Sequence, residues 1–267
     1  MIIDFHTHMF PDKIAARTID FLSKTGGDMN PFTDGTWKGL KESTKQAGID
    51  HSIVLPIATR PGQFHTINEF ATHFQEGTLI SFGSLHPESE NYKEELRQIQ
   101  DMGMKGIKLH PDYQDTYFND IRYKRIISYA TELGLIISVH AGQDPKCPDN
   151  IHCTPAMAEE VLNEVEPEKL VLAHMGGNGN SSSFQRLQCL RKPIPVIFKF
   201  RCIGDSKADS KSAGCKGFLQ CIPNLVHFLI RQLSGGIALY SGTNGSVSGK
   251  HSSVDAAFLF GKSSQVG

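Results

Sequence analysis

His6 and His8 close the opening segment Ile2-Ile3-Asp4-Phe5-His6-Thr7-His8, in which a short apolar run reads as a buried strand. Residues two apart on a strand point to the same side, so both imidazoles can leave one strand end and meet a single metal ion. Neutral imidazole is the commonest side-chain ligand for zinc and similar divalent ions. Alone, the pair could equally be two polar residues in a loop. Further histidines close further apolar runs: His86 after Leu79–Leu85, His110 after Gly106–Leu109, His140 after Leu135–Val139 and His174 after Leu170–Ala173. A rim or core histidine is the plainer reading of His86 or His110 taken singly. Four imidazoles at equivalent strand ends, His6, His8, His140 and His174, are different, because each costs desolvation unless partnered. They point to a metal site. Alternation also places Lys108 and His110 on one face, so they should enter that site together or not at all.

The elements that must position these residues are legible as a repeat of strand and helix. Near-continuous apolar runs at Ile2–Phe5, Ile53–Ile57, Leu79–Leu85, Gly106–Leu109, Leu135–Val139 and Leu170–Ala173 suit a parallel sheet covered on both faces. Helical spacing fills the stretches Asp12–Lys24, Lys38–Ala47, Gln63–Gln75, Asn91–Met102, Asp120–Leu133 and Thr154–Val165. Thr154-Pro155 supplies an N-cap followed by a proline at the first helical position, and Gly134 stands where a left-handed C-terminal residue belongs. Six β/α units by residue 174, in a chain of 267, predict an α/β fold of the (β/α)8 TIM-barrel type. Catalysis in such a barrel sits at the carboxyl ends of the strands, where these histidines would converge.

The opening Asp4-Phe5-His6-Thr7-His8-Met9-Phe10-Pro11, with Gly106-Ile107-Lys108-Leu109-His110-Pro111, Val139-His140-Ala141-Gly142 and Leu172-Ala173-His174-Met175-Gly176-Gly177, resembles the amidohydrolase superfamily. Within it, the likeness is to the amidohydrolase-related branch of metal-dependent hydrolases and decarboxylases, over residues 1 to about 179. The resemblance implies His6, His8 and His140 as ligands of a divalent metal, most readily Zn²⁺. It implies His174 as a further ligand, or as the catalytic group that polarises substrate and moves protons. Some relatives carbamylate a fourth-strand lysine to bridge two metals; at Lys108 a substrate-anchoring ammonium is equally consistent. His86, Lys108 and His110 are weaker candidates for substrate contacts.

The family's acid/base partner, an aspartate in Gly-Thr-Asp after strand eight, is missing. The nearest match is Tyr240-Ser241-Gly242-Thr243-Asn244-Gly245, and an asparagine cannot take the proton. Composition changes at the same time. Residues 1–177 carry a formal charge of −9 and residues 178–267 one of +8, and the latter hold no glutamate, 14 serines and four of the six cysteines. The segment Gly236–Gly242 can be encoded so that a frame displaced by two bases reads Asp-Arg-Ile-Ile-Phe-Gly, which resembles the family's approach to its catalytic Thr-Asp. This points to a change of reading frame near residue 180, with a divergent but genuine ending as the alternative. Units one to six are therefore assigned to 1–179, and 180–267 form an atypical segment in which strands seven and eight should be distorted or incomplete.

With 39% hydrophobic and 21% charged residues and a net charge of −1, the chain suits one domain with a sizeable core. A strand beginning at residue 2 and the absence of any apolar run near the roughly 20 residues that span a bilayer predict a cytoplasmic protein without a membrane partner. Irregular cysteine spacing predicts reduced thiols. The expected partner is a small molecule, not nucleic acid. TatD-like nucleases and histidinol-phosphatase-like phosphoesterases also open with His-x-His, but a polyanionic substrate calls for a positive field, and residues 1–177 are acidic. The leading expectation is hydrolysis of an amide, lactone or ester of a small carboxylate. Decarboxylation on the same scaffold, and an inactive metal-binding barrel, are the alternatives. Loops Thr25–Trp37 and Gln143–Cys153 are the long candidates for specificity.

Overall fold

A computed structural model of the chain describes residues 2–26, 31–75 and 77–174, together with the backbone of two short strands at 197–198 and 258–259. The strands are β1 (Ile2–Thr7), β2 (His51–Val54), β3 (Leu79–Ser81), β4 (Gly83–Ser84), β5 (Gly106–Leu109), β6 (Ile136–Val139), β7 (Leu170–Leu172), β8 (Ile197–Phe198) and β9 (Phe258–Leu259). The helices are α1 (Asp12–Thr25), α2 (Trp37–Gln46), α3 (Phe64–His73), α4 (Tyr92–Asp101), α5 (Ile121–Glu132) and α6 (Pro155–Glu164). Each lies within a residue or two of its expected place. Thr154 accepts the Met157 backbone N–H to cap α6, with Pro155 beginning the helix, and Gly134 takes φ +69° just beyond α5.

Two sheets form, with orders β3-β2-β1-β9 and β4-β5-β6-β7-β8. Only Phe82 separates β3 from β4, and its backbone N–H still donates to Val54 O at 2.9 Å, so the strands follow chain order in space. Every pair is parallel except β1 with β9. The sheet curls. Ile3, Phe5, Ile53 and Leu55 from its start pack in one buried cluster with Phe82, Ile136 and Val171, the last two from β6 and β7, contacts a flat sheet could not make. The described residues do not form a closed eight-stranded ring. β9 runs antiparallel to β1, where a closing barrel strand would run parallel, and the segment expected to hold strands seven and eight lies outside the described residues apart from β8 and β9.

Alternation sorts the residues of each strand between this inner cluster and an outer core beneath the helices. Ile107, Leu109, Ile137, Val139, Leu170 and Leu172 face outward, which turns Gly106, Lys108, Ser138 and Val171 inward. On β1 strict alternation would fail: with Ile3 and Phe5 inside, His6 and His8 would face the helices. A bulge resolves the conflict. The register with β2 shifts between Asp4 and Thr7, so that Ile3 pairs with His51 but Thr7 with outward-facing Val54. The extra residue reverses the parity, allowing Phe5 and His6, consecutive in sequence, both to face the interior.

Polar clamps lock the strand ends. Gln114 donates to Ala58 O and Leu85 O, both at 2.8 Å, and accepts the His110 backbone N–H at 2.9 Å and the Tyr123 hydroxyl at 2.7 Å. It thereby ties the exits of β2, β4 and β5 to α5. Among the described residues, no helix is long and apolar enough to cross a membrane.

Candidate metal centre

The strand ends bring five imidazoles together. His6 lies at 4.9 Å from His8 and 5.1 Å from His174, ring centre to ring centre, His174 at 4.6 Å from His140, and His140 at 4.1 Å from His110. His174 Nε2 and His140 Nδ1 are 3.0 Å apart. His8 Nδ1 lies 2.8 Å from Leu55 O. A carbonyl only accepts, so Nδ1 carries the proton and Nε2 keeps the lone pair a metal requires. His174 adopts φ +57°, a left-handed conformation uncommon for residues other than glycine. Gly176 and Gly177, which follow it, lie outside the described residues.

Lys108 is fully buried, and its charge acts on both His110 and Cys153. It shares the interior with His110, as alternation requires. Burial first, then the charges of His140, Lys108, His8 and His174, hold His110 well below the ordinary imidazole value, so it is neutral. His86 is buried at the end of β4, where it accepts the Glu88 backbone N–H at 3.3 Å; burial and Arg122 lower its pKa. Its ring contacts are separate from the five-imidazole chain. Asn244, which stands where the family's aspartate is expected, lies outside the described residues.

Several site residues escaped the sequence. Asp144, four residues beyond His140, is buried with Oδ2 at 3.6 Å from His140 Nε2 and 3.8 Å from His110 Nε2. Asp112, two beyond His110, has Oδ2 at 3.8 Å from His140 Nε2. Behind it, His152 pairs with Asp112 Oδ1 at 3.0 Å. Tyr113 stacks on His110 at 3.9 Å, and burial, then Asp144, push its hydroxyl pKa upward. Asp144 and His152 both come from the long loop 143–153. A carboxylate close behind a strand-end histidine was the available signal.

Donor chemistry fits a divalent ion. His110, His140 and Asp144 present ligand atoms within 4.8 Å of one another, and buried Asp112 Oδ2 accepts no hydrogen bond among the described residues. Ring geometry restricts how the donors combine. A metal lies in the plane of its imidazole at about 2.0–2.1 Å, whereas the His110 and His140 planes are 12° apart and stacked. Such planes meet only far beyond ligand reach, so these two rings cannot serve one ion as placed. His174 approaches His140 from its other edge, Nε2 to Nδ1 at 3.0 Å.

No curated protein matches the chain. Among solved structures, 2,6-dihydroxybenzoate decarboxylase complexed with 2,6-dihydroxybenzoate is similar with a TM-score of 0.51 and 15% identity, over 73% of this chain and 75% of that one. The 5-carboxyvanillate decarboxylase of Novosphingobium aromaticivorans, complexed with manganese and 4-hydroxy-3-methoxy-5-nitrobenzoic acid, also reaches 0.51, at 13% identity over 66% of this chain and 65% of that one. IDCase of Metarhizium anisopliae has a TM-score of 0.48 and 16% identity; the chain covers 65% of its length, with 66% of its own. At these identities the likeness is one of fold. A family model described as Amidohydrolase matches residues 3–215, beyond the change in composition. With most of its length matched by that model, the chain belongs to the amidohydrolase family of enzymes.

Proposed function

We propose that the chain is a metal-dependent enzyme acting on a small carboxylate, with loss of CO2 as the preferred reaction. The observation that carries this is the chain of imidazoles from His6 and His8 through His174 and His140 to His110, on an inner face that also holds Lys108. His6, His8 and His140 would hold the ion, with His174 as a further ligand or the proton-transfer residue. Their nitrogen-rich set favours zinc, and manganese is the comparison to test. The ion would supply a Lewis acid that polarises a bound oxygen and, for hydrolysis, acidifies water. Lys108 and neutral His110 would anchor the substrate carboxylate or its ring. His174 would deliver a proton to the carbon that keeps the electron pair when its bond to CO2 breaks. The similar decarboxylases support this direction. Hydrolysis of an amide, lactone or ester is the second reading, favoured by the family match. The curled sheet with strands in chain order supports a (β/α)8 barrel as the complete architecture.

Zinc- and manganese-loaded chain should release CO2 from a panel of hydroxybenzoates, and H174N should retain metal while losing turnover. Acid release from lactones or amides without CO2 would establish the hydrolytic reading instead. Full metal content in both H6A and H8A would remove the site on which either rests.

A further inference from the structure

His140 presents its two ring nitrogens to different neighbourhoods. Nδ1 faces His174 Nε2 at 3.0 Å, and the His174 ring in turn lies 5.1 Å from that of His6, which is 4.9 Å from that of His8. Nε2 faces two carboxylates, with Asp112 Oδ2 at 3.8 Å and Asp144 Oδ2 at 3.6 Å. Each carboxylate is held by its other oxygen. Asp112 Oδ1 accepts the His152 backbone N–H at 3.3 Å and pairs with His152 Nδ1 at 3.0 Å. Asp144 Oδ1 accepts the Lys146 backbone N–H at 2.8 Å. His152 is itself braced: Tyr117 stacks on it at 4.8 Å, and its Nε2 meets Asn150 Nδ2 at 3.3 Å and Asp115 Oδ1 at 3.4 Å.

From this arrangement we infer that Asp112, clamped by His152, is a positioning residue whose charge, 3.8 Å from Nε2 and beside that of Asp144 at 3.6 Å, favours the Nε2–H tautomer of His140 and so leaves the Nδ1 lone pair for the ion shared with His6 and His8. The inference rests on the proposed metal site. The opposite tautomer would turn the Nε2 lone pair toward two carboxylate oxygens and put a proton on the nitrogen that must bind metal. The favoured tautomer lets His174 Nε2–H donate to His140 Nδ1 while no ion is bound. A carboxylate behind a ligating imidazole orients the ring, fixes its tautomer and raises its basicity. The backbone N–H on Oδ1 makes the assignment testable by one atom. In D112N that N–H keeps oxygen at the Oδ1 position, so the new amide NH2 falls where Oδ2 was and offers a donor to His140 Nε2. The side chain keeps its size, but with only Asp144 left facing Nε2 the preference of His140 for Nε2–H weakens.

The test uses full-length, ¹⁵N-labelled chain. His140 is assigned by comparison with H140Q, its tautomer is read from long-range ¹H–¹⁵N spectra without metal, and zinc affinity is measured by chelator competition. Wild type should show Nε2–H, D112N should shift toward Nδ1–H, and zinc affinity should fall about 10- to 100-fold in D112N. H152A, which frees the carboxylate without touching it, should weaken zinc in the same direction and provides a second variant should D112N fold poorly. An Nδ1–H tautomer in wild type, or unchanged tautomer and affinity in D112N and H152A, overturns the inference. Loss of a whole equivalent of zinc in D112N also overturns it, because Asp112 would then be a ligand. Zinc retained by H8A would sink the proposed metal site, whereas the tautomer in metal-free protein tests the positioning role separately.

Discussion

Replacing Gln114 with leucine removes a clamp of four hydrogen bonds without opening a large cavity. Its partners, Ala58 O, Leu85 O, the His110 N–H and the Tyr123 hydroxyl, all belong to buried residues. A hydrogen bond contributes about 1 kcal/mol net, and a buried group left unpaired costs about 1–3 kcal/mol. Four such losses place Q114L at about 4 kcal/mol or more, a large part of the 5–15 kcal/mol typical of a folded domain. Urea unfolding followed by Trp37 fluorescence and by circular dichroism measures this directly, with the denaturant slope expected to hold while the midpoint falls. Q114E keeps the acceptor for His110 and Tyr123 but loses both donations and buries a charge, so it should fall short of wild type as well. A Q114L chain within about 1 kcal/mol of wild type would refute the reasoning, because water would then have to satisfy groups that the packing encloses.

Four further outcomes follow from the same geometry. H6A and H8A should lose bound metal by elemental analysis, whereas H65A and H73A, on α3, should keep it. An added Cβ in G106A would stand 2.4 Å from Ile136 O and 2.5 Å from the Phe82 ring; because a backbone carbonyl cannot give way cheaply, a loss near 3 kcal/mol, the upper part of the overpacking range, is expected in denaturant titration. In metal-free protein the lowered pKa values of His110 and His86 mean that the unfolded chain gains protons the folded one refuses. Stability should therefore drop as pH falls below about 6.5, by up to about 1.4 kcal/mol per pH unit and proton, with a shallower slope in H110Q; a chain that gains stability on acidification contradicts this. Restoring the alternative frame beyond residue 180 should return an aspartate after Asp-Arg-Ile-Ile-Phe-Gly and raise solubility, metal retention and turnover together above those of the chain as written; no gain in any of the three would end the frame argument.

The strand-end histidines and the helices between them were legible because periodicity and capping act locally. His140 and His174 needed only an apolar run before them to be placed. The bulge in β1 was not legible, since a shift of register depends on the partner strand, and the sequence shows Phe5 and His6 merely as neighbours. Nor could Asp144 and Asp112 be read as part of the site: an acid in a Pro- and Asp-rich loop is ordinarily solvated, and only the return of 143–153 over β5 and β6 buries these two. The stacking of His110 on His140 arises in the same way, from adjacent strands placing equivalent residues side by side. Resemblance supplied His6, His8 and His140 as a set. Ring planes argue only against His110 and His140 sharing one ion.

The left-handed backbone of His174 sets stability against activity. An imidazole at φ +57° is held where glycine would be relaxed, and such residues cost of order 1–3 kcal/mol that the surroundings must offset. Selection for a firmer fold alone would therefore drift toward glycine or asparagine here, and H174G could be the more stable protein while lacking the proton donor. A screen that ranked variants by melting temperature would favour the loss of the very residue on which turnover depends.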